Sequence, residues 1–254
     1  MKTSLEMRSV SLGFGGLKVL DALSFAVGSG ERLALIGPNG AGKTTVFNIL
    51  TGVYAPDAGQ VLLDGADITR LASRFRIRRG LARTFQNIRL MPHLSVLENV
   101  MVAQYAHTPG WLGMLQPVGF GRANRWRAEA RAALEAAGLG KYAAQLAGGL
   151  PYGVQKRIEL VRALAARPRV LLLDEPAAGL NPAESEALHE ALEAVARSGV
   201  TLVVVEHDMH FVERLCTRVV VLNFGCKIAE GAVAAVRGNP LVREAYLGSE
   251  RDAA

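Results

Sequence analysis

A glycine-rich octapeptide, Gly37–Thr44, constrains the fold of this chain more than any other segment. It follows an apolar run at Leu33–Ile36, and a helical pattern continues from it to about Thr51. A buried strand, a glycine-rich loop and a helix in this order are typical of α/β folds, because the helix packs on the sheet and returns the chain to a parallel strand. We therefore predict an α/β protein with a largely parallel central sheet.

Two later segments predict further buried strands for this sheet, Arg169–Asp174 and Thr201–Glu206. The helix between them is expected to begin at Asn181-Pro182, because Asn caps free helix amides and Pro fits the first turn.

The front of the chain has the pattern of antiparallel strands. Ser24–Val27 and Arg32–Ile36 flank a Gly28–Gly30 turn and are predicted to pair as a hairpin. Gln60–Leu63, followed by an Asp-Gly turn, predicts more antiparallel structure. We expect this section to be mixed sheet rather than purely parallel.

The middle of the chain changes to helical patterns. Ser95–Glu98 has the residues of a capping box, in which each side chain satisfies a free amide of the helix start. A stretch rich in Gly and Pro at Thr108–Gly121 is expected to be an irregular insertion, and Arg122–Ala137 is strongly helical. We predict one domain over residues 1–254, with a helical subdomain at about 88–166 inserted into the α/β core.

The octapeptide satisfies the phosphate-loop pattern completely, and an incidental glycine turn is disfavoured because both the strand and the helix are in place. Glycine lets the main chain wrap closely around phosphate, and the amides at a helix N-terminus favour an anion. Lys43 is expected to reach the β- and γ-phosphates of a nucleotide, and the Thr44 hydroxyl to ligate Mg²⁺. The nucleotide-binding residues expected here are Gly37, Asn39, Gly40, Ala41, Gly42, Lys43, Thr44 and Thr45.

An acidic pair at the end of a buried strand supplies a second half of such a site. The apolar run Val170–Leu173 ends in Asp174, which is predicted to face Mg²⁺, and Glu175 is placed to act as general base on the attacking water. A core strand ending in two solvated acids is the simpler alternative, but beside a complete phosphate loop it is the weaker one.

The phosphate loop, the Asp-Glu strand end and the segment Leu150–Gln155 resemble the ATP-binding cassette (ABC) family of nucleotide-binding subunits over nearly the whole chain. The resemblance implies a RecA-like P-loop NTPase core, an antiparallel β subdomain and the inserted helical subdomain. It also implies that the protein hydrolyses ATP with Mg²⁺.

The same resemblance assigns roles to residues that are uninformative alone. It implies that Gln86 senses Mg²⁺ and the γ-phosphate, that His207 contacts the γ-phosphate and holds the water, and that Phe14 stacks on adenine. Tyr152 and Gly153 lie in the segment that faces the nucleotide of an opposite subunit. The order of these residues along the chain makes the set specific.

That segment departs from the family pattern, with Pro151 at the usual Ser position and Val154 at the usual Gln position. Pro offers neither a hydroxyl nor an amide donor, whereas Gly153 and the following helix start still offer amides. We expect binding to survive and this composite site to be slower. In the dimer-facing loop that the resemblance implies at Ala178–Asn181, Asn181 replaces a frequent Asp.

Segments with these variations are similar to those of the LivG-type ATPases of branched-chain amino-acid importers. The similar segments are Ala82–Asn87, Leu150–Gly153, Gly179–Pro182, Ala245–Gly248 and the insertion near Thr108–Arg125. The ATPase of a lipid exporter is the nearest alternative, since it shares much of the core and a C-terminal Tyr-Leu-Gly.

The likeness also implies the partners. It implies two ATPase subunits packed head to tail, the second a different, LivF-type chain. It further implies transmembrane permease subunits, a periplasmic binding protein and a place at the cytoplasmic face of the cell membrane. Retention of Glu175 and His207 disfavours a regulatory module without hydrolysis.

The net charge of +6 has a local origin. Seven arginines lie in a stretch without an acid: Arg70, Arg74, Arg76, Arg78, Arg79, Arg83 and Arg89. A solvated helix face is the simplest interpretation, and contact with a partner or with lipid headgroups is another. A nucleic-acid-associated ATPase is the alternative from another class. We expect no nucleic-acid partner, because repair relatives split the cassette with coiled coils and translation relatives carry two cassettes.

The remaining composition narrows the possibilities further. No apolar run approaches the roughly 18–20 residues of a membrane span, and the first residues lack the apolar segment of a signal peptide. We expect a cytoplasmic protein that reaches the membrane through a partner. Cys216 and Cys226 lack the spacing of a metal site.

Overall fold

The computed structural model describes residues 2–107 and 120–251. Most of the predicted insertion at Thr108–Gly121 therefore lies outside the described residues. The strands are β1 (Thr3–Phe14), β2 (Leu17–Gly28), β3 (Arg32–Ile36), β4 (Ala58–Leu63), β5 (Ala66–Asp67), β6 (Leu81–Arg83), β7 (Val170–Asp174), β8 (Thr201–Val205), β9 (Arg218–Asn223) and β10 (Cys226–Gly231). The helices are α1 (Lys43–Leu50), α2 (Ser73–Arg78), α3 (Val96–Gln104), α4 (Phe120–Ala136), α5 (Tyr152–Ala165), α6 (Pro182–Arg197), α7 (Met209–Leu215), α8 (Val233–Arg237) and α9 (Pro240–Arg251).

The central sheet has the strand order β10-β9-β3-β8-β7-β6 and is parallel except for its edge strand β10. Strands β7 and β8 are buried along their whole length, as expected for parallel strands covered on both faces. Their carboxyl ends lie beside that of β3, so the residues that follow these three strands meet at one edge of the sheet. The predicted α/β fold is confirmed.

The front of the chain forms a separate antiparallel sheet with the order β2-β1-β4-β5. The predicted hairpin of Ser24–Val27 with Arg32–Ile36 is wrong. Phe25 in β2 is paired with Met7 in β1, while β3 lies between β8 and β9 in the central sheet. The burial patterns explain the difference, because β2 alternates between buried and partly exposed positions whereas β3 is buried from its second residue onward.

Helices α3, α4 and α5 share an apolar cluster of their own, built around Val96, Val100, Leu134 and Ile158. Helix α3 begins with the predicted capping box, since the Ser95 hydroxyl accepts from the Glu98 amide and Glu98 accepts from the Ser95 amide. The bounds 88–166 for a helical subdomain stay a prediction.

Helix α6 begins as expected, with Asn181 as its cap and Pro182 in the first turn, and Glu184 completes a second capping box. None of the helices in the described part of the chain is both long and apolar enough to cross a bilayer.

Candidate functional site

The phosphate loop connects β3 to α1, and its first glycine can have no side chain. A Cβ on Gly37 would lie 2.2 Å from the carbonyl oxygen of Leu222 in the adjacent strand β9. Gly42 has a φ of +102°, and a Cβ there would lie 2.8 Å from the Leu20 side chain. The loop is therefore pressed against two strands of the protein, while Asn39 and Gly40 at its tip are exposed.

Helix α1 begins without a side-chain cap, so its first amides are available to an anion. The Lys43 ammonium is folded back onto the loop and donates to the carbonyl oxygens of Gly37 at 2.6 Å and Pro38 at 2.9 Å. Burial lowers its pKa, and the charges of Glu175 and Asp174 oppose that shift. Thr44 and Thr45 lie in the first turn, and Thr44 is exposed. Free amides, a cation and a hydroxyl at one helix end suit a nucleotide phosphate.

The acidic pair lies at the end of β7, with Asp174 as the last residue of the strand and Glu175 directly after it. Gln86 donates from its side-chain amide to the Glu175 carboxylate at 2.8 Å, although the two residues are 89 positions apart. Glu175 has a φ of +44°, which is rare for a residue with a side chain and typical of strained functional positions. Its main-chain amide donates to the Val205 carbonyl at the end of β8. The structure thus brings Gln86, Asp174, Glu175 and Lys43 into one site.

Arg83 is a residue of this site that the sequence did not reveal. Its guanidinium donates to Asp174 at 2.6 Å and to the Asn48 side chain of α1 at 2.8 Å, and its side chain is only 5% exposed. Arg83 and Asp174 are 91 positions apart, and β6 brings them together by pairing with β7. In the sequence, Arg83 was one of seven clustered arginines with no distinguishing signal.

The oxygen atoms that could bind a cation near Asp174 and Arg83 fit Mg²⁺. Asp174 offers a carboxylate, Thr44 a hydroxyl and Gln86 an amide oxygen, and hard divalent cations prefer such ligands. One Asp174 oxygen already accepts from Arg83, so the carboxylate is held at a fixed place in the site.

Glu206 is a second residue of this site for which the sequence offers no signal beyond its place at the end of a predicted strand. It is 1% exposed and accepts main-chain hydrogen bonds from Ala177 at 2.9 Å and from His207 at 3.1 Å. Burial raises its pKa. Glu206 thereby ties the turn after Glu175 to the start of the segment that carries His207, whose own side chain is 69% exposed.

Three aromatic residues lie at the edges of this region. Phe14 at the end of β1 is 46% exposed and packs edge-to-face on Tyr54, with 5.2 Å between the ring centroids. Tyr54 was not predicted. Tyr246 in α9 is hydrogen-bonded with the main chain of Gly37, and burial raises the pKa of its phenol. The C-terminal helix thus contacts the phosphate loop.

The segment Leu150–Gln155 contains the start of helix α5 and packs against residues Gly179 and Glu184. Helix α5 begins at Tyr152 with Pro151 before it and no side-chain cap. A Cβ on Gly153 would lie 2.2 Å from the Glu184 carboxylate, and a Cβ on Gly179 would lie 3.1 Å from the Tyr152 ring. Within residues 2–107 and 120–251, no hydrogen bond joins Tyr152 or Gly153 to the phosphate loop. The two predicted parts of the binding site are therefore not joined by a hydrogen bond in the described part of the chain.

The arginine cluster divides into buried and exposed members. Arg76 is 2% exposed and donates to the carbonyl oxygens of Ile49, Leu50, Thr69 and Leu71. Burial lowers its pKa to about 10. Arg83 is also buried, against Asp174. The exposed members are Arg70, Arg74, Arg78, Arg79 and Arg89.

Comparison with known proteins agrees with this geometry. The family described as ABC transporter matches residues 20–178, and the family described as branched-chain amino acid ATP-binding cassette transporter matches residues 226–252. The chain is 43% identical to the high-affinity branched-chain amino acid transport ATP-binding protein BraF of Pseudomonas aeruginosa, over 96% of this chain and 97% of that protein. It is 40% identical to the corresponding protein LivG of Escherichia coli K12, with the same coverage.

A solved structure, the ADP conformation of MJ1267, an ATP-binding cassette of an ABC transporter, superposes with a TM-score of 0.86. The two chains are 29% identical, and the match covers 98% of this chain and 100% of that one. The fold, the phosphate loop beside an acidic strand end and the similarity over nearly the whole chain all indicate the same family. The chain therefore belongs to the ABC transporter family of ATP-binding proteins.

Proposed function

We propose that this protein is the ATP-hydrolysing subunit of an importer for branched-chain amino acids. The observation that carries the proposal is the cluster of Lys43, Asp174, Glu175 and Gln86 at the uncapped start of α1. The identity of 40–43% to BraF and LivG supports the transport class. So does the match of residues 226–252, which include the helix that contacts Gly37 through Tyr246.

In this proposal the phosphates of ATP lie on the free amides of the loop. Lys43 exchanges its bonds to the Gly37 and Pro38 carbonyls for the β- and γ-phosphates. Glu175 accepts the proton of the attacking water, Gln86 and His207 orient that water, and Phe14 contacts adenine. Thr44, Asp174 and Gln86 would hold Mg²⁺, which neutralises phosphate charge when bound.

The free amides at the start of α5 have a separate role. Tyr152 and Gly153 face the ATP of a second ATPase subunit packed head to tail. The proposed partner is a different, LivF-type chain. Permease subunits place the pair at the cytoplasmic face of the cell membrane, and a periplasmic binding protein delivers the solute. The helical subdomain at about 88–166 transmits the motion.

A nucleic-acid role is disfavoured, because Arg76 and Arg83 are buried and occupied by other protein groups.

The test is reconstitution of this chain in liposomes with the proposed permeases, second ATPase and binding protein. We expect ATP-dependent uptake of labelled leucine, isoleucine or valine, with one copy of this chain per complex. Uptake that is absent while the complex hydrolyses ATP would refute the importer assignment. A complex with two copies of this chain and no other ATPase would refute the mixed pair.

A further inference from the structure

Helix α5 carries three charged side chains that contact the main chain around the proposed catalytic glutamine. Lys156 donates to the Gln86 carbonyl oxygen at 2.8 Å. Glu159 accepts from the Arg89 amide at 3.1 Å, and Arg162 donates to the Arg89 carbonyl oxygen at 2.6 Å. The spacing of three residues places all three on one side of the helix. Helix α5 therefore holds both ends of the loop from Gln86 to Arg89.

Lys156 reaches a second group of the site. Its ammonium also lies 3.5 Å from the main-chain carbonyl oxygen of Glu175. One cation thus joins the main chains of the two residues whose side chains are themselves hydrogen-bonded, Gln86 and Glu175. An ammonium has three donors and no acceptor, so it can bind two carbonyl oxygens at once.

These contacts are made by buried charged side chains, whose removal from water has a free-energy cost. Lys156 is 5% exposed and Glu159 is 2% exposed. Burial lowers the pKa of Lys156 and raises the pKa of Glu159, and each opposes the shift of the other. A buried charge adds little stability compared with a well-packed apolar side chain, so stability alone does not account for an ammonium at this place.

We propose that Lys156 is a positioning residue for ATP hydrolysis, which holds Gln86 and Glu175 in place from the helix that begins at Tyr152. This inference rests on the proposed function. Gly153 lies at the start of α5 and Lys156 one turn later, so one rigid helix contacts the ATP of the opposite subunit and holds the catalytic pair of this chain. Occupation of one nucleotide site is thereby communicated to the other.

The test uses Lys156→Met in the complete transporter complex, because Met is close in length and apolar and has no donor. Lys156→Arg is the conservative variant. Arg157→Met is the matched control, since Arg157 also donates to a carbonyl oxygen, that of Ala137, but within the helical part of the chain. Steady-state ATPase rates give kcat and KM for each variant, and thermal unfolding gives their stability.

We expect Lys156→Met to lower kcat about 10–100-fold, the loss expected for a hydrogen bond to a charged group, while KM for ATP changes less than twofold. Lys156→Arg should recover at least half of kcat, and Arg157→Met should stay within twofold of the parent. A Lys156→Met complex with kcat within twofold of Arg157→Met overturns the proposal. The proposal is also overturned if Arg157→Met loses kcat as well, and if in both variants the loss of kcat is proportional to the loss of thermal stability.

A second readout needs no turnover. Hydrogen exchange of the full chain without nucleotide should show faster exchange of the amides between Gln86 and Arg89 in Lys156→Met than in Arg157→Met. Unchanged exchange there overturns the proposed link. If the parent complex does not hydrolyse ATP, the proposed function fails, and the exchange measurement still decides whether Lys156 holds this loop.

Discussion

The starts of helices α1 and α5 are alike in one respect and different in another. Neither has a side-chain cap, whereas α3 and α6 each begin with a capping box. Free amides and the helix dipole suit both starts for an anion. The start of α1 is surrounded by Lys43, Asp174 and Glu175 of the same chain. The start of α5 has exposed Pro151 and Tyr152 before the buried Gly153.

The difference indicates that the two helix starts have different roles in the proposed ATPase reaction. The α1 end has the cation, the carboxylates and the amide of a reaction centre. The α5 end offers main-chain amides and no cluster of this kind, which fits its proposed role of facing a nucleotide bound by another subunit. Changes at α1 should therefore act on the nucleotide that this chain binds, and changes at α5 should act on turnover in the assembled pair.

The largest effect is expected from Glu175→Gln. It removes the proposed base and keeps a side chain of the same size, so ATP binding should persist while turnover falls about 10²–10⁴-fold. Steady-state phosphate release and equilibrium binding of a fluorescent ATP analogue measure the two quantities. Unchanged turnover would show that another group takes the proton.

Lys43→Ala should weaken ATP binding to the isolated chain about 10–100-fold, because the half-buried ammonium no longer meets the phosphates. Titration calorimetry gives the dissociation constant. Lys141→Ala, in the helical part of the chain, is the control and should bind as the parent does. Equal binding by both variants would contradict the assignment of the α1 end.

Gly153→Ala tests the α5 end. The added Cβ would meet Glu184, which the Asn181 capping box holds in place, so the start of α5 must shift. Turnover of the complex should fall about tenfold or more, since small displacements in an active site are costly. ATP binding to the isolated chain should not change. Gly149→Ala is the control, because a Cβ there has no neighbour within 4 Å.

Pro151→Ser should increase turnover of the complex by about 2–10-fold, the range expected for one added hydrogen bond. Serine supplies both a hydroxyl and an amide next to the α5 start. ATPase rates of otherwise identical complexes measure the change. A rate equal to or below that of the parent would mean that Pro151 does not limit the composite site.

The smallest effect is expected at Glu206. Its pKa in the folded protein lies above the ordinary value of 4.5, because of burial. Between these two pKa values the folded chain binds more protons than the unfolded chain, so the free energy of unfolding falls as pH rises through that window. In Glu206→Gln, the free energy of unfolding should decrease less with pH than in the parent. Urea unfolding measured from pH 4.5 upward gives this dependence. An identical slope in parent and variant would contradict the role of burial.

Local signals in the sequence predicted well, and distant contacts did not. The capping residues Ser95 and Asn181 act within four positions of themselves, and both predictions are confirmed. Arg83 and Glu206 take their roles from groups 91 and 29 positions away, which no local pattern specifies. The hairpin prediction failed for the same reason, because the partner of β3 is chosen by the whole sheet rather than by the turn before it.

Helix α1 also has a cation at its far end, since Arg76 donates to the carbonyl oxygens of Ile49 and Leu50 where that helix finishes. A phosphate at the N-terminus and a guanidinium at the C-terminus would each interact favourably with the helix dipole. The two charges lie at opposite ends of the same short helix, so their contributions to its stability add. An Arg76 variant that binds nucleotide with the affinity of its parent would therefore gain the same free energy of unfolding from added nucleotide.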